Sequence, residues 1–352
     1  METTRTIPIV FENPGFKAPS AKRKEPKSTE KPVLVKTGII PDGYISFPGK
    51  TFLIGEYAVL EGAPAILVNT KPRFVFSFQL KKKDEVFSGS DMEHSPSSVK
   101  ENTTHIYHPR SPAGQWLKLH PEIRQFYDIN SQDPYCGKGG FGFSSAQFSF
   151  VYLLSQMREG KMPSKDNVLS IWNMYRSLKF DGLTPSGADL VSQWVGDVCL
   201  FSSDPFSVCS VAWPFTELDF FLIHTGRKLD TWEHLNDLSK RSFSRLSNLA
   251  EKAMVNINNC DKEGFISTVD EYALCLEKEG LVHKKTLLFL KKIKKLKNII
   301  TAKGCGAMGA EVVALFFDSK NKETIRSFLS KEDVIAHSGD LTCGMLVHNA
   351  CS

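Results

Sequence analysis

From residue 43 the chain alternates short apolar runs with clear breaks. Tyr44–Phe47 is aromatic and β-branched and stops at Pro48-Gly49. Thr51–Ile54 and Ala65–Val68 read as buried strands, and Phe74–Leu80 alternates apolar with polar positions as a half-exposed strand does. Lys71-Pro72-Arg73 reads as the turn between the last two. Residues 81–135 are polar and rich in Ser, His and Pro, which predicts loops and one helix near Pro121–Tyr127. From Ser144 the period becomes helical: Ala146, Phe148, Val151, Tyr152 and Leu154 recur until Gly160 and Pro163 close the segment. A second helix is predicted over Ser164–Leu178, with Ser164 and Asp166 as caps, and a short one over Ala188–Trp194. Val198–Phe201 and Leu218–His224 read as strands, residues 231–297 as largely helical, and Val312–Phe317 as a buried strand. This order predicts an α+β chain divided near residue 215, without an internal repeat.

Composition narrows the class. With 352 residues, 41% of them hydrophobic and 24% charged, the chain can bury two cores, or one large core with a deep cleft. Those values exclude a collagen-like chain, a coiled coil and a small disulfide scaffold. No apolar run approaches the roughly 20 residues that a spanning helix requires, so membrane partners are not expected. The 8 cysteines are isolated, with no C-x-x-C pair, which suits a reducing compartment and gives no structural zinc site. Met1 precedes Glu2 and polar residues rather than an apolar segment, so a cytoplasmic protein is expected. The formal charge of +5 sits almost wholly in the first 36 residues, which also carry five prolines. Residues 1–42 are therefore predicted to be a disordered basic tail. Its interspersed acids argue against a nucleic-acid arm. Lys284–Lys297 holds seven lysines around Leu290, Ile293 and Leu296, and reads as an amphipathic helix with a solvated basic face.

Three glycine-rich segments and one carboxylate carry the candidate chemistry. Gly137-Lys138-Gly139-Gly140-Phe141-Gly142-Phe143-Ser144-Ser145-Ala146 leads straight into the helix predicted from Ser144. Glycine lets backbone N–H groups approach phosphate oxygens, and a helix start adds partial positive charge. Ser144 and Ser145 add hydroxyls that can meet Mg²⁺ or a phosphate. The segment is not the pattern G-x-x-x-x-G-K-[ST], and a glycine turn before a helix serves structure equally well. In Pro48-Gly49-Lys50-Thr51-Phe52-Leu53-Ile54-Gly55-Glu56-Tyr57, Lys50 starts an apolar strand, where packing alone gives no reason for a lysine other than snorkelling at an edge. Lys303-Gly304-Cys305-Gly306-Ala307-Met308-Gly309 feeds the strand at Val312 and would serve as a plain tight turn too. Asp189 follows the turn Pro185-Ser186-Gly187. There it caps a helix, or orients a substrate hydroxyl and accepts its proton if a cation holds it ionised.

In this order the four segments resemble the GHMP superfamily of small-metabolite kinases, over about residues 44–317. Pro48-Gly49-Lys50 through Gly55-Glu56-Tyr57-Ala58-Val59 looks like the opening of its mevalonate-pathway branch. Tyr57 is closer to phosphomevalonate kinases, whereas Pro185-Ser186-Gly187-Ala188-Asp189 is closer to mevalonate kinases. Thr225-Gly226-Arg227-Lys228 with Thr231 resembles another element of this branch, although His224 replaces the usual Asp or Trp. The resemblance implies a two-lobed fold, with an N-terminal lobe of ribosomal-protein-S5-like type (43–215, ATP-binding) and a ferredoxin-like C-terminal lobe (216–352).

It further implies an ATP- and Mg²⁺-dependent kinase, monomeric or homodimeric, acting on 5-phosphomevalonate or on the 5-hydroxyl of mevalonate. A diphosphomevalonate decarboxylase and a non-catalytic metabolite-binding relative are the remaining readings. Lys50 and Asp189 would be catalytic and within hydrogen-bonding reach of each other. Lys138, Gly139, Gly140, Gly142, Ser144, Ser145 and Ala146 would hold the nucleotide phosphates, the two serines also the metal. Glu56, Tyr57, Ser186, Gly187, Thr225, Lys228, Gly304, Gly306 and Gly309 would lie on the substrate side. Arg73, Arg227 and Lys228, with Lys138, are the cations available to an acceptor phosphate.

The chain departs from the family pattern at three places. Phe143 stands before Ser144 where a small residue is usual, so its ring must point away from the phosphates or the loop must run differently. Leu178 stands where mevalonate kinases place a Mg²⁺-binding Glu, with Asp181 the nearest acid. Ala307 and Met308 replace glycines in the third loop.

Overall fold

The computed structural model describes residues 42–81, 107–161, 167–178, 184–225, 241–309, 312–331 and 336–349. The predicted basic tail up to residue 41, Asp181, Gly226, Arg227, Lys228 and Thr231 lie outside them. Among the described residues ten strands appear in chain order: β1 (Gly43–Ile54), β2 (Ala65–Leu80), β3 (Tyr127–Gln132), β4 (Val198–Ser203), β5 (Phe206–Val211), β6 (Leu218–His224), β7 (Ile299–Cys305), β8 (Val312–Asp318), β9 (Ala336–Ser338) and β10 (Leu346–Asn349). The helices that matter here are α1 (Phe143–Arg158), α2 (Asn167–Ser177), α3 (Ala188–Val195), α4 (Ser244–Asn258), α5 (Lys262–Lys278) and α6 (Lys284–Ile293). The strands form two antiparallel sheets, one in the order β10-β1-β2-β4-β5 with β3 also on β2, the other β7-β8-β6-β9. Among the described residues no helix is long and apolar enough to cross a membrane.

The two predicted strand pairs at the start of the chain are each a single long strand. β1 runs through Pro48-Gly49 with a register shift, and β2 runs through Lys71-Pro72-Arg73 directly opposite it. β2 alone bulges here, with Lys71 and Pro72 as extra residues opposite the Pro48–Gly49 step, so the ladder resumes on either side instead of ending. Side chains hold the bulge. The Tyr135 hydroxyl donates to the Pro72 carbonyl at 2.8 Å. The Arg73 guanidinium donates to the carbonyls of Ser46 (2.8 Å), Cys343 (2.7 Å) and Gly344 (2.7 Å).

Asp197 in turn donates its N–H to the Thr342 carbonyl at 2.8 Å, so residues 341–344 lie across β2 at Thr70 and the end of α3 at Gly196. That crossing leads into β10, which pairs with β1. The boundary expected near residue 215 therefore separates the two sheets only up to β9, because the last strand returns to the first sheet. Both faces of β1 are covered, which is why Ile45, Phe47, Leu53 and Ile54 are fully buried. α4 and α5 pack against the turn after β1 and against β7, where the two halves meet.

Candidate active site

Strand β1 delivers Lys50 and helix α3 delivers Asp189. Lys50 is 6% exposed, and its Nζ lies 2.9 Å from Asp189 Oδ1. The carboxylate is open to solvent on its other side, with the side chain 37% exposed. Asp189 sits in the first turn of α3, where the helix dipole favours a negative charge. The turn that starts this helix is fixed by Trp172 of α2, whose indole N–H donates to the Ser186 carbonyl at 2.8 Å. Gly187 caps the helix at φ +72°, and a Cβ there would fall 2.6 Å from the Trp172 ring. Ser186 and Gly187 thus set the entry angle of α3. Burial, and after it the Asp189 charge, push the nearby Tyr175 phenol up.

The glycine loop lies against Lys50. The Lys50 N–H donates to the Phe141 carbonyl at 2.9 Å. Gly142 caps α1 at φ +88°, and a Cβ on it would come 2.8 Å from Lys50 Cγ. Only glycine lets the lysine stem cross the loop at this level. Phe143 answers the question its bulk raised. Its ring turns into the core, 5.1 Å from Phe74 and 5.9 Å from Phe76, away from the loop's outer surface.

Ser144 is exposed at the first turn of α1, and Ala146 is buried behind it. Ser145 departs from the expectation. It is buried, with its hydroxyl 2.8 Å from Gln193 Oε1, and so faces the protein rather than a metal or phosphate. Gly139 and Gly140 are half-buried, as is Lys138. Burial, with help from Lys138 and His337, pulls His224 down to about 4. Thr225 follows His224 at the end of β6.

Glu56 and Tyr57 also differ from their expected substrate-side role. Glu56 is 5% exposed and forms a buried ion pair with Lys303, which is 1% exposed. Lys303 Nζ donates as well to the Gly304 carbonyl at 2.9 Å and stands 5.4 Å over the Tyr272 ring. The Tyr272 hydroxyl donates to the Glu56 carbonyl at 2.7 Å, and the Met308 N–H donates to the Tyr57 hydroxyl at 2.6 Å. The first and third motifs are therefore fastened to each other. Gly304 is the residue before the end of β7, and the Gly309 N–H closes the turn onto the Gly306 carbonyl at 2.9 Å.

Arg73 is removed from the list of acceptor cations, since main-chain carbonyls take its guanidinium. Sequence reasoning passed over Trp172, Gln193, Tyr272 and the role of Lys303. The available signal was a polar side chain inside an apolar stretch: Gln193 in a short buried helix, Lys303 in what turns out to be a strand.

No group of three His, Cys, Asp or Glu side chains able to hold a metal occurs among the described residues. A nucleotide-borne Mg²⁺ takes most of its ligands from phosphate and water, so it requires no such group. Ser144, an exposed hydroxyl at a helix start, fits that chemistry, and Ser145 as oriented does not.

No protein-family model matches the sequence, and no curated protein matches it. The fold has clear counterparts among solved structures. Galactokinase from Lactococcus lactis complexed with galactose superimposes with a TM-score of 0.65 at 12% identity, over 86% of this chain and 94% of that one. The Methanococcus jannaschii mevalonate kinase gives 0.61 at 16% identity, over 84% and 96%. The Streptococcus pneumoniae phosphomevalonate kinase in complex with phosphomevalonate and AMPPNP gives 0.60 at 15%, over 84% and 99%. The fold is that of the GHMP small-metabolite kinases, the two-lobed α+β architecture that the four motifs implied. Its mevalonate-pathway representatives are among the structures it resembles.

Proposed function

We propose that the chain is an ATP-dependent kinase that transfers the γ-phosphoryl group to a small acid of the isoprenoid route, with 5-phosphomevalonate as acceptor. The observation that carries this reading is the Lys50–Asp189 pair, 2.9 Å apart, beside a glycine loop that opens a helix. Phosphoryl transfer asks a protein chiefly for positioning and charge neutralisation. The loop N–H groups and the start of α1 hold the nucleotide phosphates, with Lys138 beside them. Lys50 stabilises charge on the group in flight, and Asp189 orients the acceptor oxygen. Ser144 would hold Mg²⁺, which supplies neutralisation of the phosphate oxygens when bound. The fold likeness to a phosphomevalonate kinase that binds AMPPNP and phosphomevalonate supports the choice of donor and acceptor.

A second reading, transfer to the 5-hydroxyl of mevalonate, is favoured by Arg73. With that guanidinium engaged by carbonyls, Lys138 is the described cation left for an acceptor phosphate, and an alcohol needs fewer. Asp189 would then also take the hydroxyl proton.

ADP release measured over mevalonate, 5-phosphomevalonate and its diphosphate tests both. One of the first two should turn over. Asp189→Asn should lower kcat by about 10²–10⁴ on an alcohol acceptor, the span of general-base catalysis. Lys138→Ala should act mainly on KM. Carbon dioxide release from the diphosphate would point to a decarboxylase instead. Nucleotide binding without turnover of any of the three would overturn the kinase reading in favour of a metabolite-binding protein. A cytoplasmic monomer or homodimer is proposed with it.

A further inference from the structure

Gln193 lies one helical turn beyond Asp189 on the same face of α3, fully buried. Its amide nitrogen donates to two main-chain carbonyls, Pro48 at 2.9 Å and Gly142 at 3.1 Å. Its oxygen accepts from the Ser145 hydroxyl at 2.8 Å. The reverse amide orientation would set an oxygen against two carbonyls, so the hydrogen-bond pattern fixes which atom is nitrogen. Pro48 is two residues before Lys50 on β1, Gly142 and Ser145 begin α1, and Asp189 begins α3. One side chain therefore bonds all three elements whose ends must meet for phosphoryl transfer. The space that Gly142 leaves open is filled by two groups, Lys50 and Gln193 itself: a Cβ would lie 3.0 Å from Gln193 Nε2.

We propose that Gln193 is a positioning residue of the site, setting the glycine loop, the lysine and the aspartate in one register without touching substrate. The inference rests on the kinase reading above and assigns this residue's part in it. Both N–H groups and the carbonyl oxygen of the amide are used, which no other side chain of this length reproduces. An ionised carboxylate at the same place keeps the acceptor for Ser145 but faces two carbonyls with no proton. A neutral carboxyl keeps one donor. Burial, the two facing carbonyls and Asp189 one turn away favour the neutral form, against the pull of Lys50 beside it, so a glutamate there turns register into a function of pH.

The experiment compares Gln193→Glu and Gln193→Leu with the wild-type chain, by AMPPNP affinity in titration calorimetry and by steady-state kinetics from pH 6 to 9. Near-ultraviolet circular dichroism of each variant checks that it is folded. Gln193→Leu should weaken AMPPNP by about tenfold and lower kcat by about 10²-fold, the size of a misplacement near 1 Å. Gln193→Glu should approach wild type at pH 6 and fall away from it as the pH rises, in both affinity and kcat. If both variants bind AMPPNP as the wild type does and Gln193→Glu follows the wild-type pH profile, the proposal is overturned. If Gln193→Leu does not fold, the pH dependence of Gln193→Glu decides alone. A wild type that binds AMPPNP but turns over no acceptor overturns the kinase reading, while the affinity series still reads the clamp.

Discussion

Lys303 and Glu56 put a charge pair where water hardly reaches, and the physics of such a pair is asymmetric. Together they offset each other's loss of hydration, but either one alone is an unpaired buried charge. Burial already pushes the Glu56 carboxyl up, against the pull of Lys303. Replacing Lys303 by Met should cost about 3–5 kcal/mol, the range for breaking a buried pair from one side. Lys303→Met/Glu56→Gln, with both charges gone, should recover most of that loss. The pH dependence follows from the sign of the shift. A carboxyl raised by folding stabilises the fold below its unfolded pKa and loses that contribution as the pH climbs through the folded one. With Lys303 absent the rise is larger, so the deficit should be small near pH 4 and grow above the ordinary value of 4.5. Urea titrations of the single and double variants between pH 4 and 8 check it. A pH-independent deficit would mean that Lys303 matters through packing alone.

Element by element, what was legible tracks how far the fold is local. α1, α3, β6 and β8 announced themselves through period and flanking breakers, and Lys50 and Asp189 stood out as polar residues at the ends of apolar runs. β7 did not, because Lys303 and Gly304 look like loop chemistry until Glu56, 247 residues away in the chain, supplies the partner. β2 looked interrupted at Pro72 because the carbonyls that hold Arg73 belong to residues 343 and 344. β10 was missed for the same reason. It exists as the edge partner of β1, and its own four residues carry little pattern. Arg73 is thus predicted to be the latch for that edge. Arg73→Ala removes the donors of three carbonyls and should cost about 2–4 kcal/mol in total, at 1–3 kcal/mol for each unsatisfied buried group after partial rehydration. Hydrogen exchange should lose protection first at Leu346–Asn349 and at the Gly43–Ser46 stretch facing it. Uniform loss across both sheets would contradict the latch. The end of β6 yields a pH prediction of its own. Since His224 is held down to about 4, the unfolded chain binds its proton first as the pH falls. Stability should then decline from pH 6.5 towards 4, and His224→Gln should flatten that slope in thermal melts.

At the scale of the whole molecule, two crossings decide whether the halves behave as one body. The C-terminal strand passes from the second sheet's side into the first, where β10 pairs with β1. The turn after β1 reaches the other way: Glu56 to Lys303, Tyr57 to Met308, and the Phe243 N–H donating to Glu61 Oε1 at 2.8 Å. Neither half can open without exposing groups that the other half satisfies, since each buried donor or acceptor left alone costs about 1–3 kcal/mol. Two sheets without such crossings would be free to unfold separately. The chain is therefore expected to unfold in one transition, with amides of β2 and β8 opening at the same free energy in native-state hydrogen exchange. Tyr57→Phe/Glu61→Ala removes the acceptors of Met308 and Phe243 and so strips part of the clasp while leaving the core intact. In that variant β8 should open at lower denaturant than β2, because the second sheet keeps, of that clasp, only the Glu56–Lys303 and Tyr272–Glu56 bonds besides the β10 crossing. Equal opening in the variant would show that the Glu56 bonds and β10 together suffice for cooperativity, and unequal opening in the wild type would show that the lobes are already independent.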